Sequence, residues 1–304
     1  MKNDRRLNHK LVNWAIFIAL SFIWGSSFIL MKAGLEHLSA FQVASVRIIS
    51  SGLVLLPIAI QHIRQLQKDR LFYIFMSGVL GSLLPAYLFC LAEEGIDSSM
   101  AGALNSLTPF FVIITGVLFF KVHTSLLQVL GIVIAFLGSA LLFVSKPELS
   151  QSHQLISIAF VMIATFCYGL NVQMVNRHLH HIPSLQIASW ALVLNAIPAG
   201  IVLFYTGYFS ANMADRGFWV SSGFASILGI FGTAVASIIF YMLIKRAGAV
   251  FASMVTYGIP FVAIFWGLLD GENVGWWQVA GLSIILTGVY IANRKAVPSR
   301  TGGK

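Results

Sequence analysis

Ten stretches of this chain each run for about twenty residues with almost no charge. A helix needs about 20 apolar residues to cross the hydrocarbon core of a bilayer. The qualifying windows are roughly 11–31, 41–61, 71–92, 98–120, 124–145, 155–176, 184–206, 218–244, 248–269 and 275–293, numbered 1 to 10 in chain order. Over the 304 residues, 58% are hydrophobic and only 10% charged. Soluble domains carry roughly 25% charge, so a soluble fold of this size could not cover its surface. The expected class is an all-α integral membrane protein with ten transmembrane helices.

The flanking charges set a direction. With the N-terminus inside, the inner segments carry Lys2, Arg5, Arg6, Lys10, Arg64, Lys68, Arg70, Lys121, Arg177, Lys245, Arg246, Arg294, Lys295, Arg300 and Lys304. The outer segments carry Lys32, Lys146 and Arg216. Fifteen against three predicts cytoplasmic N- and C-termini. The net charge of +9 is therefore membrane-flanking charge. It forms no continuous stripe, and no nucleic-acid partner is expected. Window 1 is longer than a signal peptide's apolar region and lacks a small-residue cleavage site after it, so it reads as a retained helix. Trp14, Trp219, Trp276 and Trp277 sit near window ends, as an aromatic belt does.

The histidines fall in the N-terminal tail, in loops or at helix ends. His178, His180 and His181 share one short loop, which reads as a solvated polar turn. Cys90 and Cys167 lie inside apolar runs without metal-ligand spacing and read as packing residues. Short connections leave no room for a soluble catalytic domain, and no GxxxxGK[ST] loop is present. No cofactor is expected.

The second half of the chain repeats the first. Phe41-Gln42-Val43-Ala44-Ser45 matches Leu185-Gln186-Ile187-Ala188-Ser189, and Trp24-Gly25 matches Tyr168-Gly169, both at an offset of 144. Thr108-Pro109-Phe110-Phe111-Val112 matches Ile259-Pro260-Phe261-Val262-Ala263, and Gln128, Gly131 and Gly138 match Gln278, Gly281 and Gly288. Each half holds five windows. An odd number makes the second half enter the membrane from the opposite side, so the halves are inverted repeats, an architecture of secondary transporters. The domain reading is 1–147 and 153–294 for the two five-helix repeats, with 295–304 a cytoplasmic tail.

On these residues the chain resembles a ten-helix, EamA-type member of the drug/metabolite transporter superfamily. The resemblance rests on Phe-Ile-Trp-Gly-Ser-Ser-Phe at 22–28, Arg47, and Ala-Leu-Asn-Ser-Leu-Thr-Pro at 103–109 running on to Gly131 and Gly138. The second-half counterparts are Pro260, Gly267, Glu272, Gly281 and Gly288. It implies transport of a small molecule across a bacterial inner membrane. Family members often carry a Glu after both helix 4 and helix 9. Glu272 fits the second position, but Lys121 stands at the first. The small four-helix relatives export cationic drugs by way of a Glu buried in the first helix, and window 1 has none.

Ionisable residues deep in a bilayer are costly and usually functional. Arg47 is the one such residue well inside a window, and two readings of it stand. It snorkels to the outer headgroups, or it lines a cavity and attracts a carboxylate or phosphate. No Asp or Glu lies mid-window, and Glu93, Glu94 and Asp97 fall at the turn between windows 3 and 4, where Asp97 is placed to cap helix 4. The expected cargo is a neutral or zwitterionic metabolite such as an amino acid, moved outward, with facilitated exchange or import as alternatives. Candidate substrate-binding residues are Trp24, Ser27, Arg47, Tyr87, Asn105, Thr108, Tyr168, Asn171, Trp190, Tyr241, Thr256 and Tyr257. Each could instead be packing glue between helices. Pro109 and Pro260 read as mid-helix kinks and candidate hinges. The expected partners are membrane lipid and a small-molecule substrate, with the protein a monomer or homodimer. A membrane-embedded enzyme would need paired carboxylates, His clusters or an activated nucleophile, and a channel a charged or ringed filter. Neither pattern is present.

Overall fold

The structure is a computed structural model that describes residues 2–144, 152–211, 214–269 and 276–292. Lys146, Asp270, Glu272, Arg294 and the tail 295–304 lie outside the described residues. The ten windows become ten helical rods: α1 (Lys2–Leu35), α2 (Ala40–Gln61), α3 (Lys68–Glu93), α4 (Ser98–Asn105 and Thr108–Phe120), α5 (Leu126–Val144), α6 (Ser152–His178), α7 (Ser184–Tyr205), α8 (Arg216–Ala247), α9 (Ala249–Ser253, Met254–Gly258 and Ile259–Leu269) and α10 (Trp276–Ala292). Seven are long and apolar enough to cross a membrane, and α5, α9 and α10 carry shorter apolar stretches. No strand occurs among the described residues. Large side chains such as Leu118, Leu126, Leu155 and Phe204 stand exposed, which lipid accommodates and water would not.

Local chemistry starts several rods where the sequence suggests. Ser39 and Gln42 form a reciprocal capping box at the head of α2. Asp215 accepts the Gly217 N–H at 3.0 Å and caps α8. Asp97 does hold the N-cap position of α4, but its side chain makes no capping bond. The expectation of a side-chain cap there is corrected: only its backbone carbonyl accepts, from Met100 and Ala101.

The halves pack as an inverted pair. Gln42 at the start of α2 donates to the Thr206 carbonyl at the end of α7, and Gln186 at the start of α7 donates to Gln65 just beyond the end of α2. These two equivalent rods therefore run antiparallel. At their crossing a methyl group on Gly52 would lie 2.7 Å from the Cβ of Ala196, its own counterpart 144 residues on. The rods α5 and α10 do the same. Gly131 meets Gly288 and Ala292, while Gly138 meets Gly281 and Ile285, each with no room for a Cβ. Without a hydrophobic drive between helices in lipid, such backbone-to-backbone approach is what holds them. The remaining contacts come in mirrored sets: Gly25 of α1 seats on Val262 of α9, and Gly169 of α6 seats on Phe111 of α4. Residues 25 and 169 differ by 144, and 111 and 262 by 151.

Candidate functional site

The rods that meet at the centre are the irregular ones. In α4 the α-helix stops at Asn105. Ser106 and Leu107 make three-residue turns back to Ala103 and Leu104, and a new helix starts at Thr108. In α9 the segment Met254–Gly258 winds as a tighter 3-10 helix before Ile259. Pro109 and Pro260 thus open second half-helices, where a missing N–H costs nothing. This corrects the expectation of prolines kinking continuous helices: the rods are broken, and the prolines start the new pieces. The two breaks touch, with Ser106 Oγ 3.5 Å from the Thr256 carbonyl.

The rods α3 and α8 carry a second matched irregularity. Val79–Leu83 and Leu228–Val235 wind as π-helix, and an offset of 151 carries the first segment inside the second. Such bulges often mark functional sites because they re-aim backbone groups. In α8 the loosened turn meets two side chains. Trp24 Nε1 donates to the Gly232 carbonyl at 3.1 Å, and Arg47 Nε donates to Thr233 Oγ1 at 2.7 Å.

These features surround a cavity with about 710 Å³ of atom-free space, open solvent included. Its walls are Trp24, Ser27, Phe28 and Met31 of α1; Arg47 of α2; Gly81 and Phe89 of α3; Asn105 and Thr108 of α4; Tyr168, Asn171 and Val172 of α6; Ser237, Phe240 and Tyr241 of α8; and Thr256 of α9. Much of the wall is built twice. Offsets of 144 pair Trp24 with Tyr168, Ser27 with Asn171 and Phe28 with Val172. Offsets of 151 pair Phe89 with Phe240 and Asn105 with Thr256. The aromatic contacts repeat as well: Trp24 meets Phe240 edge-on with ring centroids 5.0 Å apart, and its counterpart Tyr168 stacks on Phe89 at 6.0 Å.

Polarity breaks the symmetry. Arg47 has Ala191 as its counterpart, so the cavity holds one cation on one side. The side chain is 9% exposed. It stands in the cavity wall, where the second of the two sequence readings puts it. Its Nε is engaged by Thr233, and the Nη groups make no hydrogen bond among the described residues. Asn171 Oδ1 is buried and accepts no hydrogen bond from them either. Three of the wall hydroxyls are engaged locally: Ser27 donates to Ile23, Thr108 to Asn105 and Thr256 to Ser253. The cavity therefore offers a guanidinium face and an amide acceptor within aromatic walls, beside the hydroxyl-bearing residues Tyr168, Ser237 and Tyr241. Buried polar groups without partners are rare in proteins, and Asn171 Oδ1 is one such atom in this wall.

Three of the twelve sequence candidates stand away from this wall. The Tyr87 hydroxyl pairs with Ser45 Oγ at 2.7 Å and its ring packs on Phe41. Tyr257 is buried, and its hydroxyl donates to the Ile132 carbonyl of α5 at 3.1 Å. Trp190 is partly buried against the apolar core. The other nine come together. Reasoning from polar residues missed Phe28, Met31, Gly81, Phe89, Val172, Ser237 and Phe240. Applying the repeat offset to helices 3 and 8 would have found Phe89 and Phe240. Elsewhere the structure is bland: both cysteines are free and buried, and the His178 ring stacks on Tyr73.

A helical membrane protein of two inverted repeats, with broken rods crossing at a polar cavity, is the build of a membrane transporter. The sequence matches the EamA-like transporter family twice, over residues 13–144 and 155–294, and the chain belongs to that family. It is 29% identical over 283 residues to an uncharacterized transporter of Archaeoglobus fulgidus, covering 93% of this chain and 99% of that one. It is 24% identical to the uncharacterized inner membrane transporter YedA of Escherichia coli K12, covering 94% and 92%. A solved crystal structure superposes with a TM-score of 0.71 at 11% identity, covering 93% of this chain and 96% of that one, which supports the fold alone.

Proposed function

We propose that this protein is a secondary carrier that moves a small zwitterionic metabolite, such as an amino acid, out of the cell across the bacterial cytoplasmic membrane by alternating access. The observation that carries the reading is the cavity's unequal polar pair. Arg47 presents Nη donors and Asn171 an unpartnered acceptor, inside a wall much of which is built of residues paired across the repeat. A carboxylate fits the guanidinium through charge-assisted hydrogen bonds, and an ammonium group fits the amide oxygen. Matched breaks in α4 and α9, each followed by its proline, supply a bending point in either half. No acidic side chain stands in the wall, which favours facilitated diffusion or exchange as the second reading.

Purified protein in proteoliposomes is expected to catalyse saturable counterflow of one or more amino acids. Flux that rises linearly without saturation would indicate a channel. Absence of flux across a broad metabolite panel would remove the carrier reading.

A further inference from the structure

One carboxylate stands just beyond the cavity wall. Glu93 closes α3, four residues past the wall residue Phe89 and so on the same helix face. Both its oxygens are sealed from solvent and neither has a hydrogen-bond partner among the described residues. Ser98 lies close by without meeting hydrogen-bond geometry. No ion pair engages it among those residues. The charged and titratable groups around it are Lys32 from α1, Arg47 from α2, and Cys90 on its own helix, with Glu94 next to it. Tyr168 of α6 faces the same Arg47. Glu94 is engaged elsewhere, accepting the Ala40 N–H at the head of α2. A sealed carboxyl group without donors is costly when ionised.

We propose that Glu93 is the proton-coupling group of this carrier, taking up one proton as a substrate carboxylate occupies Arg47. This rests on the carrier reading above. The sealing selects the ligand: an ammonium group is too large to reach oxygens with no accessible surface, whereas a proton needs only a transient water. Lys32 and Arg47 are the cations that face the sealed carboxyl group. A carboxylate arriving at Arg47 cancels one of those charges and tips the balance to the acid. Linkage is reciprocal, so a protonated Glu93 also favours an occupied Arg47. Substrate and proton then travel together. The proton leaves water on one face, forms an O–H bond at Glu93, and returns to water on the other. Either gradient can drive the other, and the larger one sets the direction, so the outward movement proposed above needs an outward substrate gradient that exceeds the inward proton gradient.

The full-length protein is reconstituted in liposomes with an alkaline lumen and given a carbon-14-labelled mixture of the standard amino acids. One coupled proton limits accumulation to about tenfold per unit of pH difference. Wild type is expected to accumulate label up to that order and to lose the accumulation when the pH gradient is collapsed. Glu93→Gln is expected to keep counterflow at equal pH and to lose pH-driven accumulation, and Glu93→Asp to retain both. Wild-type counterflow that ignores the pH gradient overturns the proposal, as does pH-driven accumulation by Glu93→Gln. Loss of counterflow at equal pH in folded Glu93→Gln also overturns it, because Glu93 would then be holding substrate. Absence of any wild-type counterflow removes the carrier reading and this one with it. Where Glu93→Gln aggregates on gel filtration, the pH profile of Glu93→Asp decides: a displaced profile supports coupling and an unchanged one refutes it.

Discussion

Replacing Arg47 with Met should separate stability from function. Met keeps most of the volume and flexibility of the side chain and removes its charge and donors. The residue is 9% exposed, so solvent screening is small. Holding an arginine deep in a bilayer protein costs about 2.5–3.5 kcal/mol on insertion scales. Against this, the variant loses one hydrogen bond from a charged donor to Thr233, worth about 1.5–3 kcal/mol. Folding should therefore change little, or improve by at most about 2 kcal/mol, by the difference of those figures. Transport should fall. A hydrogen bond to a charged group contributes about 1.5–3 kcal/mol, which converts to a KM increase of roughly 10- to 150-fold. The assay is counterflow kinetics in proteoliposomes beside thermal unfolding followed by gel filtration. An unchanged KM would refute the view that Arg47 meets substrate. A large loss of thermal stability would make it a structural strut held by Thr233.

Gly288→Leu should prevent α10 from seating on α5, because even a Cβ there runs into the Ala135 backbone. Overpacking costs about 1–3 kcal/mol, read as a lower unfolding temperature, while Gly200→Ala, where nothing lies within 4 Å, should leave that temperature unchanged. Tyr257→Phe removes the hydroxyl bond to Ile132 and should lower stability by about 1 kcal/mol with KM unchanged. Asn171→Leu should raise KM, and if the two results are reversed the cavity is misplaced. The charge bias predicts that a fluorescent reporter fused to the C-terminus glows in the cytoplasm, and that a phosphatase fused there is inactive; an active phosphatase would invert the topology.

Hydropathy alone carried the class of this protein, because a bilayer admits few solutions: twenty apolar residues with internally satisfied backbone make a helix. The repeat was also legible, since matched motifs such as Thr108-Pro109 and Ile259-Pro260 survive in one dimension, and five windows per half force inversion. Tertiary structure decided how those motifs are used. Whether a proline kinks a helix or starts one depends on hydrogen bonds at Ser106 and Leu107 that composition does not encode. Tyr87, Trp190 and Tyr257 looked as suitable as Tyr168, because an aromatic with a polar tip serves equally in a cavity or between helices. Only packing sends the Tyr257 hydroxyl to α5. Arg47 was the sharpest case. The sequence places a charge ten ångströms or so from the headgroups, within reach of snorkelling. The loosened π turn of α8 supplies Thr233 as a partner and holds the charge at the cavity instead.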